Sequence, residues 1–186
     1  MKKFTLTGII ILSFVSVLNA QIFKGKSDAT NISFFSKNTM EDISALNKNA
    51  TIMLNTATND IQARITMTYF KFKSALMEEH FNENYVESEK YPSSVFMGKV
   101  NEKIDWTKDG EHAVTVTGKL TLHGVTKDVT MTGTITKKGN EIIIECKKLP
   151  IRLADYNIKV PSLYVQTIAE VIDVTVSSVM EPFVKK

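Results

Sequence analysis

Cysteine, arginine and histidine are scarce in this 186-residue chain, and each scarcity removes a class of function. The single thiol, Cys146, cannot close an internal disulfide, so stability has to come from packing and strand pairing. Arginine is represented only by Arg64 and Arg152, and the formal net charge is +3, which argues against nucleic acid as the main partner. His80, His112 and His123 form no His-x-His or His-x-x-x-His pair, so a transition-metal centre lacks ligands at motif spacing. There is no Gly-x-Ser-x-Gly, no phosphate loop and no dinucleotide glycine fingerprint. Glu78, Glu79, Glu83, Glu87 and Glu89 make an acidic run, but no glycine lies there to turn a calcium loop, and a solvated helix face is the better account. Repeats, linkers and low-complexity tracts are missing as well, which leaves one domain with a substantial core.

Long apolar runs are confined to the N-terminus. Met1-Lys2-Lys3 precedes about fifteen mostly apolar residues from Phe4 to Leu18, and Asn19-Ala20-Gln21 follows. A spanning helix needs roughly 20 apolar residues, so the stretch reads as a signal peptide over 1–20, cut after Ala20, with a single domain over 21–186. The expected location is periplasmic or secreted, without stable membrane insertion. Of the chain's 23 basic residues Lys2 and Lys3 fall in this leader, which leaves 21 against 20 acidic ones.

What the chain does have is alternation. Over 114–135, Val114, Val116, Gly118, Leu120 and Leu122 share one parity, and Thr115, Thr117, Lys119, Thr121 and His123 the other. After Gly124, Val129, Met131, Gly133 and Ile135 oppose Thr130, Thr132 and Thr134. Period-two patterning of this length predicts two long antiparallel strands with one apolar face, suited to a tall closed barrel. Further strands are expected at 30–36, 50–55, 61–72, 93–100, 141–149 and 169–180, about eight in all. The alternation slips after Met67, where a bulge or strand end is expected. Ser74 can cap a short helix running to about Asn84, with Met77 and Phe81 on one face and Leu76 beside them. Pro92 opens the next strand, Asp109-Gly110 marks a turn, and Pro150 and Pro161 bracket an irregular segment. Cys146 shares parity with Ile142 and Ile144 and reads as a small buried hydrophobe.

Three stretches resemble a known family. Gly118-Lys119-Leu120-Thr121-Leu122-His123-Gly124-Val125-Thr126-Lys127 looks like the hallmark hairpin of the YceI-like exported lipid-binding proteins. Glu89-Lys90-Tyr91-Pro92 with Phe96 resembles their helix-to-strand passage, and Ala154-Asp155-Tyr156-Asn157-Ile158 is similar to a third segment. The resemblance implies an all-β fold, an antiparallel eight-stranded lipocalin-like β-barrel with one short internal helix and an elongated apolar tunnel. It also implies a polyisoprenoid ligand, a prenyl chain or isoprenoid quinone, and no other cofactor. The chain departs from the pattern at Asn84-Tyr85-Val86-Glu87, where many members carry an acidic-Phe-Phe-acidic run, and at Asn157, where glycine is common.

Inward apolar positions make a packed core as readily as a tunnel, since an eight-stranded barrel stands at the size where either fits. The candidate lining is Met67, Phe72, Met77, Phe81, Tyr85, Phe96, Val116, Gly118, Leu120, Met131, Gly133, Ile135, Ile172 and Val174. Gly118 and Gly133 leave either ligand space or room for strand coiling. The methionines, Met40, Met53, Met67, Met77, Met97, Met131 and Met180, serve an adaptable binding surface or ordinary filling. The helix residues plug a barrel end, Trp106 sits half-buried near a rim, and His123 hydrogen-bonds backbone at its turn. No catalytic or metal site is assigned, and an enzyme is not expected. The reading is an exported protein whose partner is an apolar, lipid-like small molecule. Its rivals are a packed-barrel structural or stress-related interaction protein, and a lipid-modifying enzyme.

Overall fold

The computed structural model describes residues 21–37, 42–159 and 169–184. The signal peptide expected over 1–20, Met40 and Pro161 lie outside them. Ten strands follow in order: β1 (Ile22–Ser36), β2 (Ile43–Asn47), β3 (Thr51–Asn55), β4 (Asp60–Thr66), β5 (Phe70–Phe72), β6 (Ser93–Val100), β7 (Gly110–Leu122), β8 (Val125–Lys138), β9 (Glu141–Arg152) and β10 (Val171–Pro182). Every pairing is antiparallel, and β10 returns to pair with β1 and close the sheet. β2 and β3 lie end to end along β1, and β4 and β5 lie end to end beside them. The barrel therefore has eight staves, two of them broken.

The two breaks sit side by side. A single 3-10 turn, Met67–Tyr69, separates β4 from β5 at the expected slip. Asn47 at the end of β2 is fully buried. Its Nδ2 donates to the Thr66 carbonyl at 2.9 Å and its Oδ1 accepts from the Asn49 amide at 2.9 Å. One buried amide thus replaces the ladder bonds lost at the kink, as buried backbone groups require.

Four expected boundaries need correction. β1 starts at Ile22 rather than near Thr30, because residues 26–29 bulge out between the pairs Gly25↔Met180 and Thr30↔Ser178. The polar run there hid the strand. A Cβ on Gly25 would lie 2.5 Å from Thr30 Oγ1, so glycine is what lets the bulge close. β2 was not foreseen, and the expected strand over 61–72 is two strands. β9 passes through Pro150 to Arg152 instead of ending at Leu149.

The long hairpin follows its sequence pattern. Val114, Val116, Leu120 and Leu122 are buried while Thr117 and Lys119 are exposed. Ile135 is buried, Val129 and Met131 are half-buried against the core, and Thr126 and Thr130 face out. His123 (φ 50°) and Gly124 (φ 74°) form the two-residue turn, both left-handed as a type I′ hairpin requires.

The lower half of the barrel, at the end of the β3–β4 and β8–β9 turns, is solid. Leu54, Val100, Ile142 and Met180 fill it at 1% exposure or less. The opposite end carries the helix, α1 (Ala75–His80), which continues into one wide π turn over Phe81–Tyr85. Its N-terminal turn is held by the Glu78 amide on the Ser74 carbonyl at 3.1 Å; the Ser74 side chain makes no capping bond.

Candidate functional site

Above the packed layer the barrel encloses a cavity of about 580 Å³, within the range of small-molecule sites. Its floor is the solid lower half, so the space is a blind pocket rather than a through-tunnel. The inward positions make a packed core at the lower level of the barrel and a pocket wall at the upper.

The strands supply the wall in the order their parity dictates. Phe72, Phe96, Val116, Leu120, Met131, Ile135, Ile172 and Val174 all line the cavity, with Met67 from the turn between β4 and β5. Met77, Phe81 and Tyr85 reach it from α1 and the π turn, and Gly133 borders it from β8. Phe81 anchors the helix to the barrel mouth, with ring centroids 5.6 Å from Phe34, 5.5 Å from Phe70 and 5.1 Å from Phe72. No residue of α1 is fully buried, and Leu76 is 58% exposed. The helix is a cap held mainly by one aromatic cluster.

Gly118 is the exception among the candidates: it does not line the cavity. It pairs directly with Gly98 on β6. A Cβ on Gly118 would lie 2.4 Å from the Met97 carbonyl and 2.8 Å from Phe96 Cε2, and one on Gly98 would lie 2.4 Å from Phe96 Cζ. The two glycines make room for the Phe96 ring, which covers them and itself lines the pocket. Gly133 likewise does not open ligand space. A Cβ there would lie 2.2 Å from the Glu145 carbonyl, so its missing side chain admits the backbone of β9.

Sequence reasoning missed Phe34, Phe70, Leu149, Ile151 and Leu153, which also line the cavity. Phe34 and Phe35 are adjacent aromatics, so parity alone could not choose between them; the structure buries Phe34 and leaves Phe35 at 40% exposure. Leu149 follows the extra residue at 147–148, which moves the inward parity of β9 from even to odd numbers, and Ile151 and Leu153 lie beyond Pro150, where the strand is expected to end.

Polar groups at the wall are few and mostly engaged. Ser94 Oγ donates to the Thr121 carbonyl at 2.8 Å, and Ser36 Oγ accepts from the Ala169 amide at 2.9 Å. The titratable residues bordering the space are His80 and Tyr85 at the helix end and Glu145 and Cys146 on β9. Burial pushes the Cys146 thiol up, against a smaller opposing effect of the Lys148 amide. A thiol so placed is a poor nucleophile. Among the described residues, no three His, Cys, Asp or Glu side chains group closely enough to hold a metal ion. Such a chamber can sequester an apolar chain by removing it from water.

Outside the pocket, the mouth is tied together by His123. Its Nδ1 lies 3.0 Å from the Tyr156 carbonyl and its Nε2 2.6 Å from Glu87 Oε2, with the Tyr91 ring at 4.5 Å. The expected backbone bond exists, but it reaches a residue 33 positions away. Glu87 (φ 44°), His123 and Asn157 (φ 56°) are all left-handed, so three of the four such non-glycine residues described meet at this junction. Asn157 stands where the resembled family often has glycine, and the left-handed backbone explains both choices. At the far rim, Trp106 is half-buried and donates to Asn59 Oδ1 at 3.0 Å.

The family model of the YceI-like domain matches residues 23–180. Among solved structures, a polyisoprenoid binding domain from Saccharophagus degradans, described as implicated in plant cell wall breakdown, is similar with a TM-score of 0.75 and 15% identity. The match covers 87% of this chain and 98% of that one. BcnA from Burkholderia cenocepacia gives 0.68 at 19% identity, over 81% and 95% of the two chains. The YCEI protein of Campylobacter jejuni gives 0.57 at 15% identity over the whole of both. At these identities the likeness is one of fold. No curated protein matches the chain by sequence.

Proposed function

This chain belongs to the YceI-like family, and from that premise we propose that it is an exported carrier that holds a long apolar molecule, a polyisoprenoid or isoprenoid quinone, in the upper barrel. The observation that carries the reading is the blind apolar pocket of about 580 Å³, capped by α1. A packed-barrel interaction protein would have its interior filled throughout, and the cavity counts against it. The family is one of binding domains and the wall is nearly all hydrocarbon, which supports retention rather than turnover. The lysine pair and apolar run at the start of the sequence, Lys2 to Leu18, support export to the periplasm.

Affinity in such a site grows with chain length. At roughly 0.3 kcal/mol per non-hydrogen atom for ligands of this size, each isoprene unit of five carbons adds about 1.5 kcal/mol, close to tenfold. The gain stops when the chain reaches the floor built by Leu54, Ile142 and Met180. The test is mass spectrometry of organic extracts from the protein purified out of its native compartment. A co-purifying isoprenoid lipid at near-stoichiometric amount is expected. Protein that carries no lipid and binds no prenyl chain of any length when tested by titration would overturn the proposal.

A further inference from the structure

The wall of the barrel is not continuous. β8 and β9 pair from Lys138↔Glu141 to Thr134↔Glu145 and no further, although β8 runs back to Val125 and β9 on to Arg152. Three features part them. The backbone of β9 crosses close over Gly133, whose absent Cβ would meet the Glu145 carbonyl. Immediately afterwards β9 bulges: Cys146 pairs with Val176 and Leu149 with Val174, so one extra residue lies between, and Lys147 and Lys148 are both exposed. A bulge bends and twists its strand, here away from β8. Pro150 then sits in the part of β9 that β8 does not pair, where a missing amide costs little.

The cavity reaches this seam. Strand residues that line it have inward parity throughout, with three exceptions: Thr132, Thr134 and Glu145. All three flank Gly133. Only here does the pocket touch residues whose side chains belong to the outer face.

We infer that the seam beside Gly133 is a lateral portal, through which the polar end of the ligand meets solvent while its apolar chain lies in the pocket. The inference rests on the carrier reading above. Among the described residues the parted strands present backbone amides and carbonyls that do not pair across the seam, the β8 hydroxyls of Thr130 and Thr132, and mixed charge from Glu145 and Lys147. Lys148 is engaged with Asp173 at 3.0 Å. Edges of this kind fit an uncharged end group that both donates and accepts hydrogen bonds, or accepts them alone. The apolar floor offers no such partners, and the seam, unlike the cap with its His80 and Tyr85 side chains, also brings backbone groups within reach of a head group.

The experiment compares a prenylated naphthoquinone with the same prenyl chain lacking the ring, each titrated against wild type, Thr132→Trp and Glu145→Trp. Both substitutions are at exposed, outward positions on opposite sides of the seam. Thr136→Trp, on the same face of β8 but opposite paired Ile143, is the control. The portal predicts that either seam variant weakens the quinone about tenfold or more, with the bare chain unaffected and the control like wild type. In wild type, the quinone and not the bare chain should slow hydrogen exchange at amides 128–133 and 146–148, a readout that needs no variant to fold. If wild type binds both probes but the seam variants and the exchange pattern treat them alike, the portal is wrong and the carrier reading stands. If wild type binds neither probe, both fall.

Discussion

Gly118→Ala separates a glycine that serves the wall from one that serves a ligand. Elsewhere in a strand, alanine in place of glycine gains about 0.4–1 kcal/mol by narrowing the unfolded ensemble. At Gly118 the new methyl would stand 2.4 Å from the Met97 carbonyl and 2.5 Å from the Gly98 Cα, both backbone atoms that cannot swing aside. It would also press on the Phe96 ring, which is 6% exposed and has no free space behind its inner edge except the pocket. Overpacking of this kind costs roughly 1–3 kcal/mol, so after the entropic offset a net loss of about 1–2 kcal/mol is expected. For a domain of this size that is a fall in Tm of about 2–8 °C, read by urea or thermal unfolding of lipid-free protein. Titration with a prenyl probe should give a Kd close to that of wild type, because the methyl does not enter the pocket. A neutral or stabilised variant would refute the claim that the two glycines are seated against each other under Phe96. Normal stability with lost binding would restore Gly118 to the lining.

Three further outcomes are expected. Leu54→Ala should cost about 2–5 kcal/mol and leave lipid retention intact, whereas Val116→Phe, which adds a ring to the pocket, should shorten the longest chain retained at little cost in stability; equal effects of both on binding would contradict the division into floor and chamber. Cys146 should resist alkylation in folded protein until well above the ordinary thiol range. The thiol is raised by burial, so the folded state holds its proton where the unfolded state loses it, and stability should decline as pH rises through the ordinary thiol value; iodoacetamide labelling across pH, folded and in urea, tests both. His123→Ala removes two hydrogen bonds and places alanine at φ 50°, for a loss of about 1–3 kcal/mol, with increased exchange at amides of residues 153–158 as the specific sign.

The parts of this molecule that were legible in its residues are those where one strand face is wet and the other dry. The hairpin over 114–135, its connection at Gly124 and the strand opening after Pro92 all obey parity, because a slip of one residue would turn Leu120 and Leu122 out to water. Nine of the thirteen candidate residues that border the cavity lie on strands and do so for the same reason. Whether they bind a ligand is a separate matter, which parity does not address. What stayed hidden depends on partners distant in sequence. β2 is only five residues long and ends in an asparagine whose role is to bond Thr66. The start of β1 is masked by a bulge that Ser178 completes, through its 2.8 Å bond to Thr30. Gly118 stays open between ligand space and strand coiling because nothing in the local sequence says that Phe96 lies across it. Pro150 looked like a stop, and it is one only if the neighbouring strand is paired.

The joining of β1 to β10 has a bearing on how the protein comes into being. Thr30 and Ser178, which meet in that join, are 148 residues apart, so the stave that completes the ring is made long after the one it closes on. Until then β1 and β9 are raw sheet edges with nothing to cover them, the kind of surface that recruits other chains. Contacts this remote also make ring closure slow compared with helical proteins. A nascent chain of this design stays open until β10 has been made. Removing residues 171–184 should therefore yield an aggregating sheet rather than a smaller barrel.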